Sequence, residues 1–338
     1  MASTQISDIY NPVTFGRRIA QAQTNLNSFI SSGIMSNDTA LSAQAAVGGN
    51  TGEMTNYKPM RNAEPNYSTD NPATIAGTGK ANSQTLTYRK YYGNRGFSFM
   101  DLAGMINLQQ GLDPVDVITS QLGQYWASVD QTRVIRSSLG LLADSVANHA
   151  SDMLVTVATD GAGAVTDAQR ISADVVIDAK QTLGDHASKL NAIAMHSVIK
   201  SRLQRQNLIT DVPDARGEIM FQEYLGYRII EDDDMPAQAG ANRITYTCIL
   251  FAAGSIGYAS VPTEKPTEIE RVAGAGNGSG ESRIWTRNAG IIQPMGYSFV
   301  SGAVAGQSAT WAELTDATNW TRVWERKNVP LAFIQVND

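Results

Sequence analysis

One serine stands in a setting typical of a hydrolytic nucleophile. The letters A-G-S-I-G around Ser255 follow an apolar segment, and they resemble the sharp strand-to-helix turn that exposes a nucleophilic hydroxyl in α/β-hydrolases. In that class the histidine base comes after the serine in the chain. Here His149, His186 and His196 all precede it. The pattern therefore favours a glycine turn between two strands over a serine hydrolase using Ser255.

Three other segments have residue types that bind ligands. Glu231 to Asp234 are four consecutive carboxylates, and Ca²⁺ and Mg²⁺ prefer oxygen ligands, but the EF-hand spacing is missing. The glycine-rich run 274–280 fits neither the dinucleotide pattern nor the P-loop. Trp311, Trp320 and Trp324 favour packing over a stacked ligand. We therefore predict an acidic surface loop and a turn, with no catalytic residue, no metal site and no cofactor.

Composition narrows the possible classes of protein. Only 17% of the 338 residues are charged and the formal net charge is −6, whereas proteins that neutralise phosphates carry clustered Lys and Arg. Cys248 is the only cysteine, which rules out an intrachain disulfide and fits a reducing cytoplasm. We find neither a signal peptide nor the run of about 18 apolar residues that a membrane span needs. A surface poor in charge suggests that other subunits cover it.

The central element of the sequence is a long amphipathic helix. Asp113 followed by Pro114 is a strong helix start, and one apolar stripe continues over about 33 residues, or roughly 50 Å. Gly123 and Gly140 suggest local bends. The stripe consists of Val115, Ile118, Leu122, Tyr125, Val129, Ile135, Leu139, Leu142 and Val146.

The N-terminal third is polar and has too few aliphatic residues for its own core. A helix is predicted from about Pro12 to Ile30, and residues 48–96 predict a long β-hairpin with its tip near 71–82, because residues 84–92 alternate as a strand does. Such a segment cannot offset the entropy of ordering without partners. We expect something outside the chain to hold it.

The rest of the chain alternates helices and strands, which predicts an α+β class around a sheet. Helices are predicted at 171–183 and 197–206, and strands at 191–195, 224–230, 244–251, 268–272, 283–287 and 329–336.

Several segments, taken in order, resemble the major capsid proteins of tailed bacteriophages, which have the Hong Kong-type capsid fold. They are Tyr125-Trp126 within the long helix, 194–197, 225–230, 232–236, 251–257, 268–271, Arg287 and 292–296. The resemblance covers nearly the whole chain. It implies an N-terminal arm at 1–47, an extended β-loop at 48–98, a peripheral domain with the spine helix at 99–150 and 259–300, and an axial domain at 151–258 and 301–338.

The resemblance implies a structural protein that assembles as homo-pentamers and homo-hexamers into an icosahedral shell around double-stranded DNA, with scaffolding, portal and decoration proteins as partners. Its location would be the virion, after assembly in the host cytoplasm. Encapsulin compartments share the fold and are the alternative. The residues expected at subunit interfaces are Tyr57, Tyr67, Tyr88, Arg89, Lys90, Tyr91, Arg271, Arg283, Trp285 and Arg287.

Overall fold

The computed structural model describes residues 29, 32–58, 60, 64–102, 114–213 and 219–338, with only the backbone described for 114–120. The predicted helix from Pro12 to Ile30 lies outside these residues, apart from Phe29. The helices are α1 Thr39–Ala45, α2 Pro114–Asn148, α3 Ala173–Gln181, α4 Ser197–Arg205 and α5 Trp311–Thr315. Short 3₁₀ turns are at Asp167–Gln169, Gly184–Lys189, Ala317–Asn319 and Arg326–Asn328.

The strands of the described ranges form two main sheets and one short ribbon. They are β1 Met35–Asn37, β2 Thr51–Tyr57, β3 Ser83–Met100, β4 Leu154–Thr156, β5 Leu190–Met195, β6 Thr210–Pro213, β7 Ile219–Tyr224, β8 Tyr227–Glu231, β9 Ala237–Ala239, β10 Ile244–Ala252, β11 Ile256–Ser260, β12 Thr267–Val272, β13 Glu281–Pro294, β14 Tyr297–Phe299, β15 Trp320–Arg322 and β16 Leu331–Asn337. The α+β class is confirmed.

Sheet I has the strand order β1-β11-β13-β3-β2, with β12 also paired to β13. The long strand β3 changes partner along its length. Residues 90–100 pair antiparallel with 281–291 of β13, and residues 83–89 pair with β2. The predicted hairpin is therefore present, with residues 58–82 as its connection. Alternate residues Leu86, Tyr88 and Lys90 are buried, as the two-residue period of a strand requires.

Sheet II has the order β4-β16-β10-β5-β8-β7-β6, with β9 also paired to β10. Its central strands carry apolar side chains on both faces. In β10, Ile249 and Phe251 enter a core shared with α2, while Cys248 and Leu250 enter a second core that includes residues of α3 and α4. A strand buried on both faces reads as a continuous apolar run, which explains the unbroken hydrophobic segment at this position.

The spine helix α2 is continuous over 35 residues, about 50 Å at 1.5 Å per residue. Its buried face is rotated slightly from the predicted stripe. Val134 and Leu141, which the stripe omitted, are fully buried, whereas Val146 is 51% exposed. The prediction for Val146 was therefore wrong, because the helix passes beyond the core in its last turn.

Gly140 lies where α2 packs against the segment around α5. A Cβ at this position would lie 2.1 Å from the Leu314 carbonyl oxygen and 2.3 Å from Nε1 of Trp320. The missing side chain therefore lets the segment around α5 approach α2 closely, and Trp320 Nε1 donates to the Leu314 carbonyl at 2.8 Å.

The predicted single strand 224–230 is two strands, β7 and β8. Tyr224 pairs with Tyr227, so Leu225 and Gly226 form a two-residue turn with φ of 52° and 79°. Positive φ at both positions is the geometry of a type I′ hairpin turn, for which Asn-Gly or Asp-Gly is the usual sequence signal and Leu-Gly is not.

In the described part of the chain, no helix has both the length and the apolar character needed to cross a bilayer.

Replacing Leu141 by Ala is expected to lower the free energy of unfolding by about 2 to 5 kcal/mol, because it leaves a cavity in the core beneath α2. Val146→Ala on the same helix is the matched control and should change it by less than about 0.5 kcal/mol. Denaturant unfolding followed by circular dichroism measures both variants. Equal effects of the two substitutions would mean that the buried face of α2 is incorrectly assigned.

Candidate subunit interface

Ser255 does not lie in an active site. It is fully buried in the turn between β10 and β11, and its amide donates to the Ala252 carbonyl at 3.2 Å. The three histidines bond elsewhere: His149 contacts Asp144, His186 the Lys327 carbonyl and His196 the Val198 amide. With a buried hydroxyl and no histidine partner in the described residues, the structure does not support the hydrolase interpretation.

The acidic run 231–234 is held by contacts within the chain. Lys200 donates to Glu231 at 2.5 Å, and Asp232 accepts from Gln131 at 2.5 Å and from the Asp234 amide at 2.8 Å. Burial raises the pKa of Asp232. Among the residues that the structure describes, no group of three His, Cys, Asp or Glu side chains could hold a metal ion.

The distal part of the hairpin exposes large apolar side chains. Tyr57 is 77% exposed and Tyr67 74%. Met60 and Ile75 share this exposure, although the sequence analysis did not select them. The only signal for these two was an apolar residue inside a polar run. Single exposed apolar residues are ordinary, but four on one extension without a core of its own indicate a surface that another molecule covers.

The next three interface candidates are enclosed by the chain itself. Tyr88 is buried and its hydroxyl bonds to Gln44 at 3.2 Å. Lys90 is 3% exposed, and its ammonium donates to the carbonyls of Ala45 and Val47 at the end of α1. Tyr91 is buried as well. These side chains fix the hairpin to its own subunit and are not available to a neighbour in this conformation.

Tyr91 anchors the hairpin strand to the spine helix. Its hydroxyl donates to Asp130, Asn288 Nδ2 donates to that hydroxyl at 3.3 Å, and the Arg133 guanidinium lies 4.4 Å from the ring centroid. Burial raises the pKa of the Asp130 carboxyl, and the bond from Tyr91 and the Arg133 charge offset part of that shift. Arg89 points the other way, donating to the carbonyls of 306 and 307.

The remaining candidates form a row of charges on β12 and β13. Arg287 pairs with Glu268 at 2.9 Å. Arg283 bonds to Glu281 at 2.8 Å, and Arg271 to Asp101 at 2.7 Å. The Arg287–Glu268 pair is exposed, and an exposed pair adds at most about 1 kcal/mol of stability. The Arg283–Glu281 pair is mostly buried, with side-chain exposures of 19% and 9%.

The same row carries apolar surface. Trp285 Nε1 donates to Glu270 at 3.0 Å. Ile269 is 69% exposed and pairs with Ile284, so it lies on the opposite face of the strands from Trp285. Aromatic and apolar side chains next to ion pairs are common in protein interfaces. We call β12 and residues 281–287 the β12–β13 patch.

The fold places both surfaces on one sheet. The hairpin extends from the β3 edge of sheet I, and the β12–β13 patch lies across β13 from it. A spine helix beside a sheet that carries a long extension at one side and an exposed patch at the other is the arrangement expected of the Hong Kong-type capsid fold.

Comparison with known proteins agrees with this class. The chain is 34% identical to the major capsid protein of Bacillus phage SPP1 over 337 residues, covering 97% of both chains. Its fold is similar to the capsid of cyanophage Pam1, with a TM-score of 0.55, 10% identity and 92% coverage of each chain. The capsid of Ralstonia phage GP4 follows with a TM-score of 0.54, 8% identity and coverage of 90% and 87%. No family model matches the chain.

The chain belongs to the family of bacteriophage major capsid proteins. Like its relative, it is a structural protein of the virion and not an enzyme. The resemblance to tailed-phage capsid proteins is confirmed, and with it the Hong Kong-type fold. The comparisons do not support the protein-compartment alternative.

The Asp130→Asn substitution should raise the free energy of unfolding relative to wild type, and by an amount that grows as pH rises from 4 to 7. A raised pKa means that the folded state loses stability as the carboxyl ionises, starting from the unfolded pKa of about 3.9 and continuing through the higher folded pKa. Asn accepts the same bond from Tyr91 and has no charge to desolvate. Thermal unfolding across this pH range measures the difference from wild type.

Asp101→Asn is the control of opposite sign. The bond from Arg271 lowers the pKa of Asp101, so the stabilising effect of the carboxylate is present above its unfolded pKa of about 3.9 and is lost as pH falls through the lower folded pKa. This substitution should therefore become less favourable as pH rises through the acid range below about 4, and its effect should stay level from there to pH 7. Parallel pH profiles for the two variants would contradict the assignment of Asp130 as a buried carboxyl.

Proposed function

We propose that copies of this chain associate into pentamers and hexamers that close an icosahedral shell around double-stranded DNA. The hairpin is the observation that carries the proposal. Its distal part exposes Tyr57, Met60, Tyr67 and Ile75, and its two strands pair through residues 51–57 and 83–89. A neighbouring subunit that covers this extension buries apolar area, and each Å² buried stabilises the contact by roughly 25 cal/mol.

Overlap of this kind explains how many weak contacts produce a stable shell. A standard interface buries about 1,600 Å², and an arm and a hairpin that reach across neighbours add to what the compact domains bury. Repetition of the same contacts around five-fold and six-fold axes then closes the assembly. The proposed interface residues that keep exposed or partly exposed side chains are Tyr57, Tyr67, Arg89, Arg271, Arg283, Trp285 and Arg287.

The proposed domain organisation keeps the boundaries that the resemblance implies. They are an arm at 1–47, an extended loop at 48–98, a peripheral domain at 99–150 and 259–300, and an axial domain at 151–258 and 301–338. β1 and α1 support an arm that is fixed at its base, since β1 pairs with β11 and Leu41 of α1 is fully buried.

Scaffolding, portal and decoration proteins complete the proposed partners, with assembly in the host cytoplasm. The packaged DNA would be enclosed without sequence-specific binding. A net charge of −6 supports this arrangement, because phosphate binding requires clustered cations.

Replacing residues 58–82 by a short Gly-Ser linker should abolish shells and spare the fold. The segment contains no strand or helix in its described residues, while the buried residues of β3 remain in place, so native circular dichroism and a cooperative melt are expected. Negative-stain microscopy and sedimentation velocity, with and without a co-expressed scaffold, measure assembly.

Side-chain substitution separates surface chemistry from loop length. The triple variant Tyr57→Ser, Tyr67→Ser, Ile75→Ser should also assemble poorly, whereas Ile177→Ser removes a similarly exposed residue from α3 (54% exposed) and should assemble normally. Normal particles from the linker variant would refute the role of the hairpin in holding neighbours.

A further inference from the structure

A small cavity lies at the root of the hairpin, where β3 changes partner from β2 to β13. Its walls come from β3, α2, β13, β14, β15 and the segment around α5. Three of the lining side chains are cationic: Arg89, Lys90 and Arg133. The part of the chain that the structure describes places no carboxylate within 4.0 Å of their charged nitrogens.

Each cation is bonded only to neutral groups. Arg89 donates to two backbone carbonyls at 3.0 and 2.6 Å, and Lys90 donates to two carbonyls at the end of α1. Arg133 donates Nη1 to the Ala309 carbonyl at 3.1 Å. Carbonyl dipoles do not cancel net positive charge. Two acids act on the cluster, Asp130 on Arg133 and Glu313 on Arg89, and two carboxylates against three cations leave net positive charge in a region of low dielectric.

Arg133 also has an unused donor. Its Nε is buried without a hydrogen-bond partner, although a buried donor normally finds one. Burial lowers the pKa of Arg133, which the charge of Asp130 only partly offsets. Asp130 already accepts from Tyr91. Glu313 is the other acid near Arg89, and its carboxylate is held by the amides of Thr310 and Ala305 at 2.8 and 2.9 Å.

The cavity favours a small ligand. Its narrow part, about 10 Å³, has room for one water-sized particle, and the cavity is partly open to solvent. A monatomic halide is larger than a water molecule but is the most compact of the common anions, and it accepts hydrogen bonds from several directions at once.

We propose that this cavity is a binding site for a single halide ion, chloride under ordinary conditions. The ion accepts from Arg133 Nε and balances the positive charge that Asp130 and Glu313 leave on the cluster. Because these residues belong to β3 and α2, the ion fastens the root of the hairpin to the spine helix.

The test is thermal unfolding of the full-length protein at constant ionic strength, with chloride exchanged for gluconate, which is too bulky for the cavity. Chloride should raise the melting temperature along a saturating one-site curve, by about 2 °C at ten times its dissociation constant. Bromide should do the same. An identical melting temperature in chloride and gluconate would show that the cavity holds water, and would overturn the proposal.

Two variants assign any response to this cavity. Arg133→Gln removes the unpartnered donor, and Ser137→Val fills the cavity while keeping all three cations; each should abolish the difference between chloride and gluconate. Arg136→Gln, an exposed cation on the same helix, should keep it. A response that survives in both Arg133→Gln and Ser137→Val would refute the site.

A second measurement does not depend on the folding of any variant. Bromide-soaked crystals of the wild-type protein should give one anomalous peak beside Arg133 Nε. Absence of that peak at saturating bromide would also overturn the proposal.

Discussion

The antiparallel pairing of β3 with β13 is the interaction on which the rest of the structure depends. It joins residues 90–100 to 281–291, and so ties the hairpin to a strand that also pairs with β11 and β12. On the N-terminal side of Lys90, residues 83–89 pair with β2 and no longer with β13. One continuous strand is therefore rigid at its base and projects at its far end.

The polar interactions around Lys90 make this change of partner possible. The strand must bury a charge there, because α1 packs over it and supplies carbonyl acceptors. Tyr91 is fastened to α2 through Asp130. Removing such a group from water is costly unless it is hydrogen-bonded, so these contacts specify one position of the hairpin relative to the spine helix. A defined projection is what a shell subunit needs if its hairpin is to meet the same surface on each neighbour.

The sequence predicted the elements whose patterns are local. The alternation in β3, the apolar stripe of α2 and the strands β5, β10 and β16 of sheet II were visible in residue types alone. Contacts between distant segments were not. The resemblance places Lys90 among the subunit-interface residues, whereas its ammonium is buried against carbonyls that lie more than forty positions earlier. The sequence suggests a local bend at Gly140 but gives no sign that Leu314 and Trp320 pack closely against it.

The central claim is that a neighbouring subunit holds the hairpin tip, and isotope-coded crosslinking tests it most directly. Particles assembled from equal amounts of ¹⁴N- and ¹⁵N-labelled chains are treated with an amine-reactive crosslinker. Peptides crosslinked through Lys58 or Lys80 are then identified by mass spectrometry. The account predicts that these crosslinks include pairs of mixed label, which only two different chains can form. If every crosslink from these lysines joins peptides of the same label, the hairpin folds back on its own subunit and the claim is wrong.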